Sequence, residues 1–327
     1  MLVTYCHSNR KRTRTHMSTQ TIKAIQVHNY GDTDQLKLEQ VPLPEPQAGE
    51  VLVRIHAAGV NPVDWKVRSG LLKDFLPLTF PYIPGAELAG VVAKVGAGVT
   101  AFQPGQAVFG RTSKGSYAEY GIVPAGALAL KPESLSFDEA TTIPVGATTA
   151  WQGLFDHGNL QPGQRVLILG GAGGVGLFAV QFARWKGAHV ISTASTGNMD
   201  FVRSLGAETA IDYTKTRVED EVRDVDLVFD TVGGAALASA WHTLKRGGTL
   251  ISTAGQADEA KARELGVRTA RFSAQVTSEL LSTFARLIEE GQIKAFVGAV
   301  FSLDEAGKAQ KLSQGGHGRG RIVLHIA

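Results

Sequence analysis

Cysteine is nearly absent: the chain of 327 residues has one, Cys6. A single thiol excludes an internal disulfide framework and any zinc site built from several thiolates. Long hydrophobic runs are missing as well. None approaches the roughly 18 residues that a membrane-spanning helix needs, so no membrane partner is expected. Charge of one sign is scarce in the body of the protein. The formal net charge is +3, and Arg10, Lys11, Arg12 and Arg14 supply much of it. The remainder is close to neutral and offers no basic face for nucleic acid. The nine histidines show no metal-ligand spacing, and no repeat or low-complexity stretch occurs.

The first sixteen residues contain Arg, Ser and Thr but no acid, a composition that can mark an organelle presequence. They lack a 3.6-residue apolar period, and MSTQTIKAIQVHNYG from Met17 reads like a natural beginning. The expectation is a disordered basic extension over residues 1–16 and a cytoplasmic protein.

What is present is ordinary globular material, 43% hydrophobic and 19% charged, in a chain long enough for two cores. From Thr21 to Val123 short strands alternate with turns: IKAIQV, EVLVRIHAAGV, ELAGVVAKVGAGV, PGQAVFG and GSYAEYGIV. This half predicts a mostly β, partly open barrel. After Pro144 the rhythm changes to strand and helix in turn: RVLIL, GLFAVQFARWKG, HVISTA, GNMDFVRSLG, AIDY, DLVFDTV, TLISTAG. That pitch predicts βαβ units and a doubly wound parallel sheet. The helix SELLSTFARLIEEG closes this part. VGAVFSL and RIVLHIA then return to strand and are expected to rejoin the N-terminal sheet, whereas GTLISTA is expected near the outer margin of the parallel one.

Gly171, Gly173 and Gly176 form G-x-G-x-x-G between the strand RVLIL and an amphipathic helix. The first glycine permits a tight turn, the second lets backbone approach a diphosphate, and the third lets helix and strand pack closely. With Gly174 and Val175 they offer backbone N–H groups and the positive end of a helix to phosphate. The motif commonly carries an acid about 20 residues on, to bind a ribose 2′-hydroxyl. Here the second strand ends Ser192-Thr193-Ala194-Ser195, with no acid between Gly176 and Asp200. A carboxylate there would repel a 2′-phosphate; neutral donors would not. The site is therefore expected to take NADP(H), with Ser195, Thr196, Asn198 and Tyr213 around the 2′-phosphate and adenine. Arg203 is expected to point along its helix into solvent.

GVNPVDWKVRSG from Gly59, PGAELAGVVAKVG, GSYAEY, GGAGGVG, DTVGG and RGRIVL occur in one order. Together they resemble the zinc-free quinone oxidoreductases of the medium-chain dehydrogenase/reductase superfamily, the group of zeta-crystallin and the plant alkenal and enone reductases. The resemblance covers about Met17 to the end. It implies an α/β protein with a GroES-like catalytic domain, residues 17–138 and 292–327, and a Rossmann domain, 139–291. It also implies Thr148, Val232, Gly233, Ala254, Gly255, Arg319 and Gly320 as cofactor contacts, and a homodimer paired through the parallel sheet. Zinc-bearing members of the superfamily have a cysteine at Asn61, a histidine at Ala86 and a four-cysteine lobe, all absent here. No metal is expected.

Without metal or nucleophilic thiol, hydride transfer to an already electrophilic substrate remains, a small hydrophobic quinone or α,β-unsaturated carbonyl compound. Asn61 is expected beside the nicotinamide. Lys66 matches the lysine of plant enone reductases and would donate to the carbonyl oxygen as an enolate develops; a surface or cofactor-contacting lysine is the competing reading. Asp64 and Arg68 suggest an i,i+4 ion pair, Tyr117 and Tyr120 barrel packing, and His56 and His157 structural roles. Two other functions stay open: an enoyl-thioester reductase, for which Gly70 to Phe80 offers only Lys73 as a base, and a non-catalytic NADPH-binding sensor or structural protein.

Overall fold

The computed structural model describes residues 20–316 and 318–327, so the basic extension over 1–16 lies outside the described residues. The N-terminal half supplies β1 (Thr21–Gln26), β2 (Lys37–Pro42), β3 (Glu50–Val60), β4 (Glu87–Val95), β5 (Ala107–Arg111), β6 (Tyr120–Pro124) and β7 (Leu128–Leu130). β1 and β2 form an antiparallel pair. The long strand β3 is the hub of the second sheet, because it pairs antiparallel with β4, β6 and a strand from the C-terminus. Its last turn of sequence is small, and at Gly59 a Cβ would stand 2.7 Å from Glu87 Oε2. Glycine there makes room for a buried carboxylate.

The parallel sheet holds β8 (Arg165–Leu169), β9 (His189–Ala194), β10 (Thr209–Asp212), β11 (Val225–Asp230), β12 (Leu244–Ser252) and β13 (Arg268–Ala270), in the order β10-β9-β8-β11-β12-β13. Every pairing is parallel. The order reverses between β8 and β11, and the carboxyl ends beside that switch are where such sheets bind ligands. β14 (Val297–Ser302) and β15 (Arg321–His325) follow, paired parallel to each other. A parallel pair needs a crossover, supplied by the helix Ala306–Gly315. β15 lies antiparallel to β3, so the chain's end rejoins the N-terminal sheet as its sequence predicts.

One buried cluster spans both sheets. It runs from Ala89 and Phe109 through Ala147 and Leu154 of the intervening helix to Phe178, Phe182, Phe229 and Phe284. Each such phenylalanine contributes about 1.5–3 kcal/mol on burial, which ties the two large sheets together. His56 stacks on Phe137 and His157 on Phe272, in keeping with structural roles.

Two expectations are corrected. In GSYAEYGIV only Tyr120–Pro124 is strand; Gly115 has φ +93°, and a Cβ there would meet the Ile83 carbonyl oxygen at 2.4 Å, so the chain turns instead. GTLISTA is not the margin of the parallel sheet, because β12 is covered by β13, which leaves Arg268–Ala270 as the edge.

Candidate active site

The glycine turn follows β8 directly. Gly170, one residue ahead of the G-x-G-x-x-G, carries the positive φ of +78°. Gly171 is needed for another reason: a Cβ there would lie 2.0 Å from Ser192 Oγ. Gly176 begins the helix Gly176–Trp185, and its Cβ would fall 2.1 Å from the Gly170 carbonyl oxygen. The turn is held by the Gly173 N–H donating to Gly170 O and by Gly170 N–H donating to Thr193 Oγ1, at 3.0 and 3.1 Å. Gly174 and Val175 then present backbone at a helix N-terminus, the geometry that receives phosphate.

At the end of β9, Ser195 Oγ accepts from Asn198 Nδ2 at 3.1 Å, so the serine keeps its own O–H to donate. Tyr213 is half exposed, and its N–H donates to the Ala194 carbonyl at 3.2 Å, which brings it beside that loop. Thr196 departs from expectation as a donor. Its hydroxyl donates to Asp212 Oδ2 at 2.5 Å, and a hydroxyl has one proton to give. The loop without an acid of its own thus abuts one from β10, since Asp212 is the register partner of Ala194. The hydroxyls of Thr196 and Thr214 hold the Asp212 carboxyl down to about 2, and Lys215 Nζ stands 3.5 Å away. Arg203 pairs with Asp200 on the surface.

Val232 and Gly233 follow β11, and Ala254 and Gly255 follow β12. A single buried residue, Asp230, organises both pairs. Its Oδ1 accepts from the Val232 and Gly233 amides, each at 2.9 Å, while Oδ2 accepts from Ser252 Oγ at 2.6 Å. Ser252 Oγ in turn accepts from the Gly255 N–H at 3.0 Å and lies 3.3 Å from that of Ala254. Gly233 has φ +77° and passes against the Ala254 carbonyl.

On the barrel side, Asn61 precedes the helix Pro62–Arg68 and is 5% exposed. Its Nδ2 donates to Glu87 Oε2 at 2.6 Å. Glu87 is fully buried; its Oε1 accepts from the Val145 N–H at 2.6 Å and its Oε2 also accepts from Arg321 Nη2. Both Glu87 oxygens are therefore taken by protein donors. Arg321 lies against the glycine turn, where a Cβ on Gly174 would meet its Cδ at 2.7 Å. The neighbouring Gly320 N–H donates to the Ala172 carbonyl at 3.0 Å, and the Arg319 guanidinium stacks over Phe201. Asn61, Glu87, Arg321 and the glycine turn form one connected set.

Thr148 lies in the helix Pro144–Trp151, three residues after Val145 and so on the same face. It is fully buried and its Oγ1 has no hydrogen-bond partner. An unpaired buried hydroxyl costs about 1–3 kcal/mol, a cost that a bound polar group would remove. Lys66 stands apart: its Nζ lies 5.7 Å from the Trp65 ring centroid and forms no ion pair among the described residues. The i,i+4 pair of Asp64 and Arg68 does not form. Arg68 Nε donates to Gln310 Oε1 and Nη1 to the Gly31 carbonyl, while Asp64 Oδ2 accepts from the Asn61 N–H and the Tyr117 hydroxyl. Burial pushes the Asp64 carboxyl up to about 7. Tyr117 thus packs in the barrel and also holds Asp64.

Residues 47–133 match the alcohol dehydrogenase GroES-like domain and residues 205–324 the zinc-binding dehydrogenase family. The chain is 36% identical to the 2-methylene-furan-3-one reductase of Solanum lycopersicum, over 93% of this chain and 79% of that one. The chain belongs to the quinone and enone reductases of the medium-chain dehydrogenase/reductase superfamily. It is also 35% identical to the NADPH-dependent alkenal/one oxidoreductase of Arabidopsis thaliana, again over 93% of this chain and 79% of the relative. The quinone oxidoreductase from Coxiella burnetii superposes with TM-score 0.87 at 32% identity, covering 94% of this chain and all of that one.

Within this quinone and enone reductase, three buried residues escaped the sequence reading. Asp230 was visible in DTVGG, where an acid ahead of two glycines signals amide capture. Glu87 follows Ala86, where zinc-bearing members have a histidine, but nothing in the sequence pairs it with Asn61 or Arg321. Arg321 lies in RGRIVL, but nothing local points to its pairing, since its partner is 234 residues away.

Proposed function

We propose that the protein reduces quinones or the C=C bond of α,β-unsaturated carbonyl compounds with NADPH and without zinc. The observation that carries this reading is Glu87: both of its oxygens are engaged by Asn61, Arg321 and the Val145 amide, and Arg321 lies against Gly174 of the glycine turn. A metal would have to displace an arginine and two N–H donors there, whereas zinc needs three or four free ligands.

The residues fit a dinucleotide. Gly171, Gly173, Gly174, Val175 and Gly176 would receive the diphosphate, Thr148 Oγ1 would gain its missing partner, and Val232, Gly233, Ala254, Gly255 and Asn61 would line the nicotinamide half. Ser195, Asn198 and Tyr213 would hold the 2′-phosphate and adenine, with Arg319 and Gly320 closing over the cofactor from the C-terminal segment. Asp212 stays ionised and works against a 2′-phosphate, but Lys215 Nζ at 3.5 Å offsets its charge and Thr196 and Thr214 hold its oxygens. The relative named as NADPH-dependent supports the same choice. When bound, the cofactor would supply the hydride.

The chain's own work is positioning and charge. Asn61 is fixed from both ends, by its N–H to Asp64 and its amide to Glu87. Lys66, with no acid to neutralise it, would donate to the carbonyl oxygen as negative charge builds there. We also propose a homodimer formed along the open edge of β13, where unpaired backbone groups invite a second copy.

The test is isotopic. With NADPH deuterated at the transferable position of C4, an enone should give a saturated ketone carrying deuterium on its β-carbon. Deuterium at the carbonyl carbon instead, or none in the product, would overturn the reading.

A further inference from the structure

A pocket of about 230 Å³ opens next to the Asn61 cluster, with Asp64, Tyr82, Ala86, Arg111 and Ser113 among its walls. Arg111 ends β5, and its register partner across the antiparallel ladder is Glu87. Residues directly opposite one another project from the same face of a sheet. Arg111 therefore leaves the sheet on the side where Glu87 meets Asn61.

Among the described residues the Arg111 guanidinium forms no ion pair or hydrogen bond. The two acids nearby are engaged elsewhere: Glu87 with Arg321, Asn61 and the Val145 amide, and Asp64 with the Asn61 amide and Tyr117. Burial also keeps Asp64 largely protonated up to about pH 7, so it opposes an anion weakly. The other cation on this loop, Lys114, is paired with Glu50. An exposed hydroxyl at Ser113 adds a donor at the rim. An unpaired arginine in a concave site is suited to a planar carboxylate, which it can grip through two parallel N–H bonds.

We propose that Arg111 makes this pocket a subsite for a carboxylate on the substrate, so that the enzyme favours enones bearing one, such as 4-oxo-2-enoates, over neutral analogues. This inference rests on the reading of the protein as an enone reductase and names its substrate class.

The experiment compares trans-4-oxo-2-pentenoate with its methyl ester, using NADPH and the full-length chain, in wild type, Arg111→Ala and Arg111→Gln. Wild type should show kcat/KM at least about tenfold higher for the acid. In both variants the acid-to-ester ratio should fall to near one. A wild-type ratio near one, or one that survives in both variants, overturns the proposal while leaving enone reduction intact. Reduction of neither compound would instead sink the enone reading. The subsite would then be decided by saturation-transfer NMR with the saturated acid 4-oxopentanoate, which needs no turnover. Contact in wild type that disappears in both variants is the expected result; no contact in wild type, or equal contact in all three, overturns it.

Discussion

Asp64 sits where packing and chemistry meet, and its proton is the most accessible probe of that junction. Burial raises its carboxyl from 3.8 to about 7, so the folded state holds the proton more tightly than the unfolded chain does. The stability this contributes is fully present below the unfolded value of 3.8 and is lost as pH rises through about 7. Asp64→Asn keeps an oxygen for the Asn61 amide and Tyr117 but cannot ionise. Its unfolding free energy should therefore gain on wild type between pH 4 and 7, by at most about 1.4 kcal/mol per unit. Denaturant melts across that range give the measurement, and parallel pH profiles would contradict the assignment. Lys66 is tested by turnover. Lys66→Met should lower kcat for an enone by up to about 10²-fold, because a donor to the carbonyl oxygen acts mainly in the transition state, while the NADPH dissociation constant stays near wild type. A raised dissociation constant with unchanged kcat would move Lys66 to the cofactor; no change in either would remove it from the site. Asn61 and Lys66 could be singled out because they lie in one short motif, yet of the two only Asn61 joins the buried cluster. The Glu87–Arg321 pair was not, since only the return of β15 onto β3 brings its members together.

At the scale of elements, the change from period-two strands to strand–helix alternation after Pro144 was enough to read both sheets and the return of the C-terminus. The glycine turn was legible for the same reason, being flanked by RVLIL and an apolar helix. What the pattern could not supply was lateral order. Asp212 ends its own strand without comment in the sequence, yet parallel pairing sets it against Ala194 and so beside Thr196. β13 is three residues long in a stretch with no clear alternation, so β12 was placed too near the margin. The β9 loop still supports a sharp prediction. NADPH should bind at least about tenfold tighter than NADH, a difference of ~1.4 kcal/mol, and Ser195→Asp should reverse that order by setting a second carboxylate against the 2′-phosphate. Fluorescence titration with both nucleotides decides it. Equal affinities in wild type would contradict the role given to Ser195 and Asn198.

The described residues form three sheets, the two large ones joined by one hydrophobic cluster with the site at their seam: glycine turn on one side, Asn61 and Glu87 on the other, Arg321 between. If the β13 edge pairs with a second copy, light scattering at micromolar concentration should give twice the chain mass; a monomer mass would refute that assembly without touching the site. The central claim is that hydride transfer here runs on positioning, with Glu87 held by protein donors and no metal in its place. The most direct test is NADPH oxidation with a small panel of quinones, enones and saturated aldehydes, before and after dialysis against a strong chelator. The account predicts turnover of quinones or enones, little with saturated aldehydes, and the same rates after chelation. Activity confined to aldehydes, or lost on chelation and restored by zinc, would contradict it.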